Sequence, residues 1–76
     1  MKINTKPRNQ KLVKKIGLRI SILRNVRGMS RLKLAEAAQI SVRKIREYES
    51  GNKAMTIDEL ATISDVLQME AFQFFL

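Results

Sequence analysis

The sequence predicts an all-α fold, a compact bundle of five helices, and three observations carry that prediction. From residue 11 onward apolar residues recur at spacings of three and four, the period of a helix with one buried face. Ser30, Ser41 and Thr56 each stand directly before such a stretch, where a hydroxyl satisfies the free amides of a helix start. No alternation of apolar and polar residues competes as a strand pattern.

Residues 1–10 are polar and basic, with Lys2, Lys6 and Arg8, and are expected to form a flexible arm ahead of a helical domain over residues 11–76. Such an arm is either a contact element or an ordinary frayed terminus. The first helix runs from Lys11 to near Arg27, with Leu12, Val13, Ile16, Ile20 and Leu23 as its apolar stripe. Lys11, Lys14, Lys15 and Arg19 occupy its other side. Gly17 interrupts the pattern at roughly 1 kcal/mol relative to Ala, which allows the helix proper to begin only there. Gly28 then supplies a left-handed stop.

Two short helices follow. Ser30 caps Arg31–Ala38, which buries Leu34, Ala35 and Ala38, and Ser41 caps Val42–Ser50, which buries Ile45 and Tyr48 before Gly51 ends it. Only Gln39 and Ile40 lie between the first helix and the Ser41 cap, so the pair must turn sharply: a helix-turn-helix. Thr56 and Glu59 form a capping box for a fourth helix, whose expected inner stripe is Ile57, Leu60, Ile63 and Leu67. Glu70–Leu76 reads as a short fifth helix carrying three phenylalanines.

At 76 residues, 45% hydrophobic and 29% charged, the chain is one small globular domain and not a disordered one. With no Cys and no His, a disulfide framework, a thiolate zinc site and Cys/His or Ser/His nucleophile pairs are excluded. The carboxylates are scattered and form no catalytic pair, so no enzyme, metal or cofactor is expected. No apolar run approaches the roughly 18 residues that span a membrane, and residues 1–10 lack the apolar core of a signal peptide. The expected location is the cytoplasm, at the nucleoid.

Charge is the positive clue. The net charge is +8, but residues 1–46 hold fourteen basic residues and one acid, whereas residues 47–76 hold one base and six acids. So uneven a division fits one face built for a polyanion, with nucleic acid ahead of an anionic membrane surface. Because Ile45 and Tyr48 face inward, the third helix turns Val42, Arg43, Lys44, Arg46 and Glu47 outward, as a major-groove reader requires. Arg43 has the planar fork that bonds guanine O6 and N7 together, Lys44 does so less rigidly, and Val42 offers a methyl surface to thymine. Glu47 either accepts from cytosine or holds Arg43 four residues before it.

Gly17-Leu-Arg-Ile20, Leu23-Arg24, Gly28-Met-Ser30, Leu34-Ala-Glu36, Ile40-Ser41, Ile45, Tyr48-Glu49, Gly51 and the stretch Ile57 to Leu67 together resemble the Cro/repressor-type (Xre-like) helix-turn-helix domain, without gaps, over about residues 16–75. The resemblance implies a lambda-repressor-like, five-helix DNA-binding domain of a bacterial or phage transcriptional regulator, a repressor or autoregulator that binds double-stranded DNA as a dimer on a palindromic operator. It implies base contacts at Val42, Arg43, Lys44 and Glu47, with Arg46 flanking, and phosphate contacts at Ser30, Arg31, Ser50, Asn52 and Lys53. It also implies a structural ion pair, Arg24 with Glu49. This chain departs from the family at Gln39, where Gly is usual in the turn, at Arg31 in place of Gln, and at Met55 and Gln68 in place of Pro and Gly.

Phe72, Phe75 and Leu76 share one side of the expected last helix, while Phe74 is expected to enter the core. Three large apolar groups there exceed what a small core needs, so a homodimer contact is expected at that side, the alternative being a hydrophobic plug. A second class of function is an antitoxin-like interaction module that engages a partner protein through the same patch.

Overall fold

In a computed structural model that describes residues 8–76, each α-helix begins on a side-chain cap. Asn9 Oδ1 accepts from the Leu12 amide at 3.1 Å and opens α1, Gln10–Val26. Ser30 Oγ accepts from Lys33 N at 3.0 Å and opens α2, Arg31–Ala38; Ser41 Oγ accepts from Lys44 N at 3.1 Å and opens α3, Val42–Ser50. For α4, Ile57–Leu67, Thr56 Oγ1 accepts from Glu59 N and Glu59 Oε1 accepts from Thr56 N, both at 3.1 Å. The capping box read in the sequence is therefore complete. The expected arm, residues 1–10, lies outside the described residues except for Arg8, Asn9 and Gln10, and the last two already belong to the start of α1.

All four helices stop in the same way. Gly28, Gln39, Gly51 and Gln68 have positive φ, at 69°, 57°, 78° and 59°. The next amide then donates five residues back: Met29 to Arg24, Ile40 to Ala35, Asn52 to Glu47, and Met69 to Ser64. This closure satisfies carbonyls that a helix end leaves open. At Gln39 and Gln68 the left-handed backbone carries a side chain where glycine adopts it freely, a penalty of about 1–2 kcal/mol each.

The helices enclose one core. Ile16 and Ile20 come from α1, Leu34, Ala35 and Ala38 from α2, Ile45 and Tyr48 from α3, and Leu60, Ile63 and Leu67 from α4, with Phe74 closing it. Among the described residues no helix is long and apolar enough to cross a membrane.

Three expectations are corrected. The fifth helix is a 3-10 helix, Ala71–Phe75, so the described residues hold four α-helices and a tight C-terminal turn. Five residues are too few for a ladder of α-type bonds, and the carbonyls of Gln73, Phe74 and Phe75 are taken by Arg19 and Lys15 from α1 at 3.2–3.3 Å. Ile57 is 89% exposed and not part of the inner stripe, because it is the first residue of α4 and lies beyond the end of the core. The helix does not begin at Gly17 but runs through it. Gly17 is buried where α1 crosses α3, and a Cβ there would overlap the Tyr48 carbonyl.

Gly17→Ala should therefore destabilise the protein by roughly 1–3 kcal/mol through overpacking, although helix propensity alone favours Ala by about 1 kcal/mol. Gln39→Gly should shift stability the other way, by about 0.5–1 kcal/mol, as relief of the left-handed penalty outweighs glycine's greater unfolded-state freedom. Urea midpoints decide both, and a more stable Gly17→Ala variant would refute the crossing.

Candidate nucleic-acid interface

α2, the left-handed turn at Gln39 and α3 build the helix-turn-helix. α2 is anchored by Leu34, Ala35 and Ala38, and α3 by Ile45 and Tyr48, so each short helix has one face fixed in the core. The far end of α3 is held by charge. Glu49, its side chain only 4% exposed, accepts from Arg24 Nε at 2.7 Å and Nη2 at 3.3 Å, and from Arg31 Nε at 2.9 Å. Arg24 also donates from Nη1 to the Met29 carbonyl at 2.7 Å. The ion pair expected between Arg24 and Glu49 is present, and Arg31 is its third member.

At the other end of α3 the outward positions differ among themselves. Arg43 is 90% exposed along its side chain, with Nε 3.3 Å from Glu47 Oε1, which is the intrahelical pair. Arg46 is exposed and has no side-chain partner among the described residues. Lys44 is turned toward α4, its Nζ 3.4 Å from Glu59 Oε2. Val42 is half-buried and packs on the core, so it is not the freely outward residue expected. Ser30, Arg31, Ser50, Asn52 and Lys53 are all exposed. They lie at the start of α2 and at the end of α3 and its following turn.

The chain matches the family model of the Cro/C1-type HTH DNA-binding domain over residues 19–71, a span that includes this two-helix turn. The chain belongs to that family. A curated relative from Sinorhizobium medicae, described as an uncharacterized HTH-type transcriptional regulator, is 35% identical over 60 residues, which is 79% of this chain and 43% of the relative. The chain thus spans less than half the length of that relative. Among solved structures, the restriction-modification controller protein C.AhdI from Aeromonas hydrophila superposes with a TM-score of 0.79 at 25% identity, over 86% of this chain and 97% of that one. The clp gene regulator ClgR from Corynebacterium glutamicum gives 0.80 at 25% identity, over 83% and 67%.

Within this Cro/C1-type domain two sets of residues escaped sequence reasoning. Lys15, Arg19 and Arg27 belong to the basic half, but Lys15 and Arg19 face the C-terminal turn and Arg27 Nε donates to the Leu67 carbonyl at the end of α4, at 2.9 Å. Their spacing along α1 carries the signal, but their targets lie forty or more residues away. Glu59 is the second. Besides capping α4 it accepts from the Tyr48 hydroxyl at 2.6 Å and pairs with Lys44, joining α3 to α4.

Burial pulls the Glu59 carboxyl upward, but bonds from the Tyr48 hydroxyl and the Thr56 amide, and the Lys44 charge, outweigh it and hold the group below the usual 4.5. Burial first, and then the bond to Glu59, push the Tyr48 hydroxyl far above its ordinary value. A carboxylate lowered in the fold contributes stability above its unfolded pKa and loses it as pH falls through the folded one. The loss from Glu59 therefore sets in below about pH 4.5. Glu59→Gln should flatten this acid limb, so the urea midpoint should drop less between pH 7 and pH 3 than in the wild type. An equal drop in both proteins would show that Glu59 carries no such linkage.

Proposed function

We propose that the protein is a transcriptional regulator that binds specific double-stranded DNA sequences, with the N-terminal half of α3 in the major groove. The observation that carries this reading is the contrast along α3. One face is fixed by Ile45, Tyr48 and the Glu49 ion pairs, while Arg43 and Arg46 stand exposed on the other. A base-reading side chain needs that combination of rigid backbone and exposed guanidinium. Arg43 is the principal reader and Arg46 its neighbour; Lys44 contributes if DNA draws it from Glu59, and Val42 and Glu47 line the same surface. Ser30, Arg31, Ser50, Asn52 and Lys53 take the phosphates.

The protein acts as a repressor or autoregulator in the cytoplasm, at the nucleoid, as a homodimer on an inverted repeat. What supports dimerisation is the division among the C-terminal apolar residues: Phe74 is buried, whereas Phe72, Phe75 and Leu76 are 60%, 47% and 71% exposed. The same patch supports the second reading, docking of a partner protein.

Selection from a random duplex library should return an inverted repeat with half-sites about 34 Å apart, and binding to it should fall with salt at a log–log slope near −7 for about four phosphates per protomer. Sequence-blind binding abolished by modest salt would refute the reading. Arg43→Ala should lose roughly 1–3 kcal/mol and relax one base position, whereas Lys53→Ala should weaken all sequences evenly. Sedimentation showing only monomer at tens of micromolar would remove the dimer of the free protein.

A further inference from the structure

We infer that Glu49 is a positioning residue for DNA binding: it holds Arg31 by Nε so that the two terminal amino groups form a preformed clamp for one backbone phosphate. The inference rests on the DNA-binding reading and adds to it the device that aims one phosphate contact. Glu49 is nearly fully buried, so its carboxylate cannot be satisfied by solvent and needs fixed donors. Arg24 supplies two of them and the Met29 carbonyl takes a third Arg24 nitrogen, which makes this part of the cluster rigid.

Arg31 completes the cluster in a different way. Only its Nε is engaged, at 2.9 Å, and the side chain is 46% exposed. Among the described residues Nη1 and Nη2 have no protein partner. A guanidinium bonded through Nε alone keeps the outer edge that pairs with two phosphate oxygens at once. Two guanidinium groups on one carboxylate also leave the cluster one net positive charge, which an incoming phosphate neutralises. An unanchored arginine would have to order its long side chain on binding; this one is already ordered. Lysine keeps the charge but has no second nitrogen by which Glu49 can hold it while another bonds phosphate.

The test is titration of a selected duplex with wild type, Arg31→Lys, Arg31→Gln, Glu49→Gln and the double variant R31K/E49Q over a series of salt concentrations. Arg31→Gln should reduce the steepness of the salt dependence by about 0.9 per protomer. Arg31→Lys should keep the steepness yet bind about tenfold more weakly, and that tenfold preference for arginine should vanish when Glu49 is glutamine. Arg31→Lys binding like wild type overturns the inference, as does a tenfold loss that persists undiminished in the Glu49→Gln background. A second readout needs neither DNA nor a stable Glu49 variant. In the free protein the Arg31 Nε proton should exchange with water far more slowly than that of Arg46, and equal exchange overturns the anchoring. Wild type that shows no duplex preference fails the DNA-binding reading instead, while the exchange measurement still reports on the Glu49 anchor.

Discussion

One buried carboxylate sets the geometry on which the rest depends. Glu49 lies near the end of α3, yet its partners are Arg24 from α1 and Arg31 from the first turn of α2. Arg24 also bonds the Met29 carbonyl, so the α1–α2 connection closes on the same cluster. An unpaired charge at this depth costs several kcal/mol, and removing one partner of such a pair typically costs about 3–5 kcal/mol. The three helices therefore have little freedom to rotate against one another without losing it. Rotation of α3 about its axis is the coordinate that decides which side chains face outward. Glu49 thus fixes the bearing of Arg43 and Arg46 without touching either.

Packing adds a second constraint at the same end. At Gly17 α1 approaches α3 so closely that the Tyr48 carbonyl occupies the space a Cβ would need, and Gly51 is covered in the same way by Lys14. The C-terminal half of α3 is held by contact, by charge and by the left-handed stop at Gly51. Among the described residues its N-terminal half is held by the Ser41 cap, the core side chains and the Lys44–Glu59 pair with α4. Rigidity and exposure are placed at opposite ends of a nine-residue helix. A reader of base edges benefits from that division, because the exposed side chains sit on a backbone whose position is already settled.

Much of this was legible locally and the remainder was not, for one reason. Ser30, Ser41 and Thr56 act on amides three residues ahead, and the apolar spacing acts within two turns, so helix starts and the inward residues of α2 and α3 follow from short stretches of sequence. The Arg24–Glu49 pair followed from family resemblance, not from any local pattern. What was misread or missed concerns distant partners. The Lys44–Glu59 pair depends on where α4 lies, fifteen residues on. Whether Gly17 weakens α1 or permits its closest crossing depends on the path of α3. Ile57 kept the right spacing, but its place beyond the core's end was set by the bundle. Gln39 carried the conflict openly, a non-glycine where the turn needs positive φ, and the fold keeps the turn at the expense of the residue.

The charge division, read whole, overstates the surface available to a polyanion. Lys15, Arg19 and Arg27 carry three of the fourteen basic charges of residues 1–46, but all three point at carbonyls of Leu67 and of the C-terminal turn. Those carbonyls are the negative ends of α4 and of the 3-10 helix, where cations are favourable. Arg24 is buried with Glu49, which removes a fourth. The charges left near the helix-turn-helix are fewer: Arg31 and Lys33 on α2, Arg43, Lys44 and Arg46 on α3, and Lys53 after it. The diverted ones have a consequence of their own. Because polar bonds from α1 hold the C-terminal turn, burial of Phe74 alone suffices to seat it, and Phe72, Phe75 and Leu76 stay outside the core. The same basic half that leaves Arg43 and Arg46 exposed on one side thereby keeps an apolar surface open on the other.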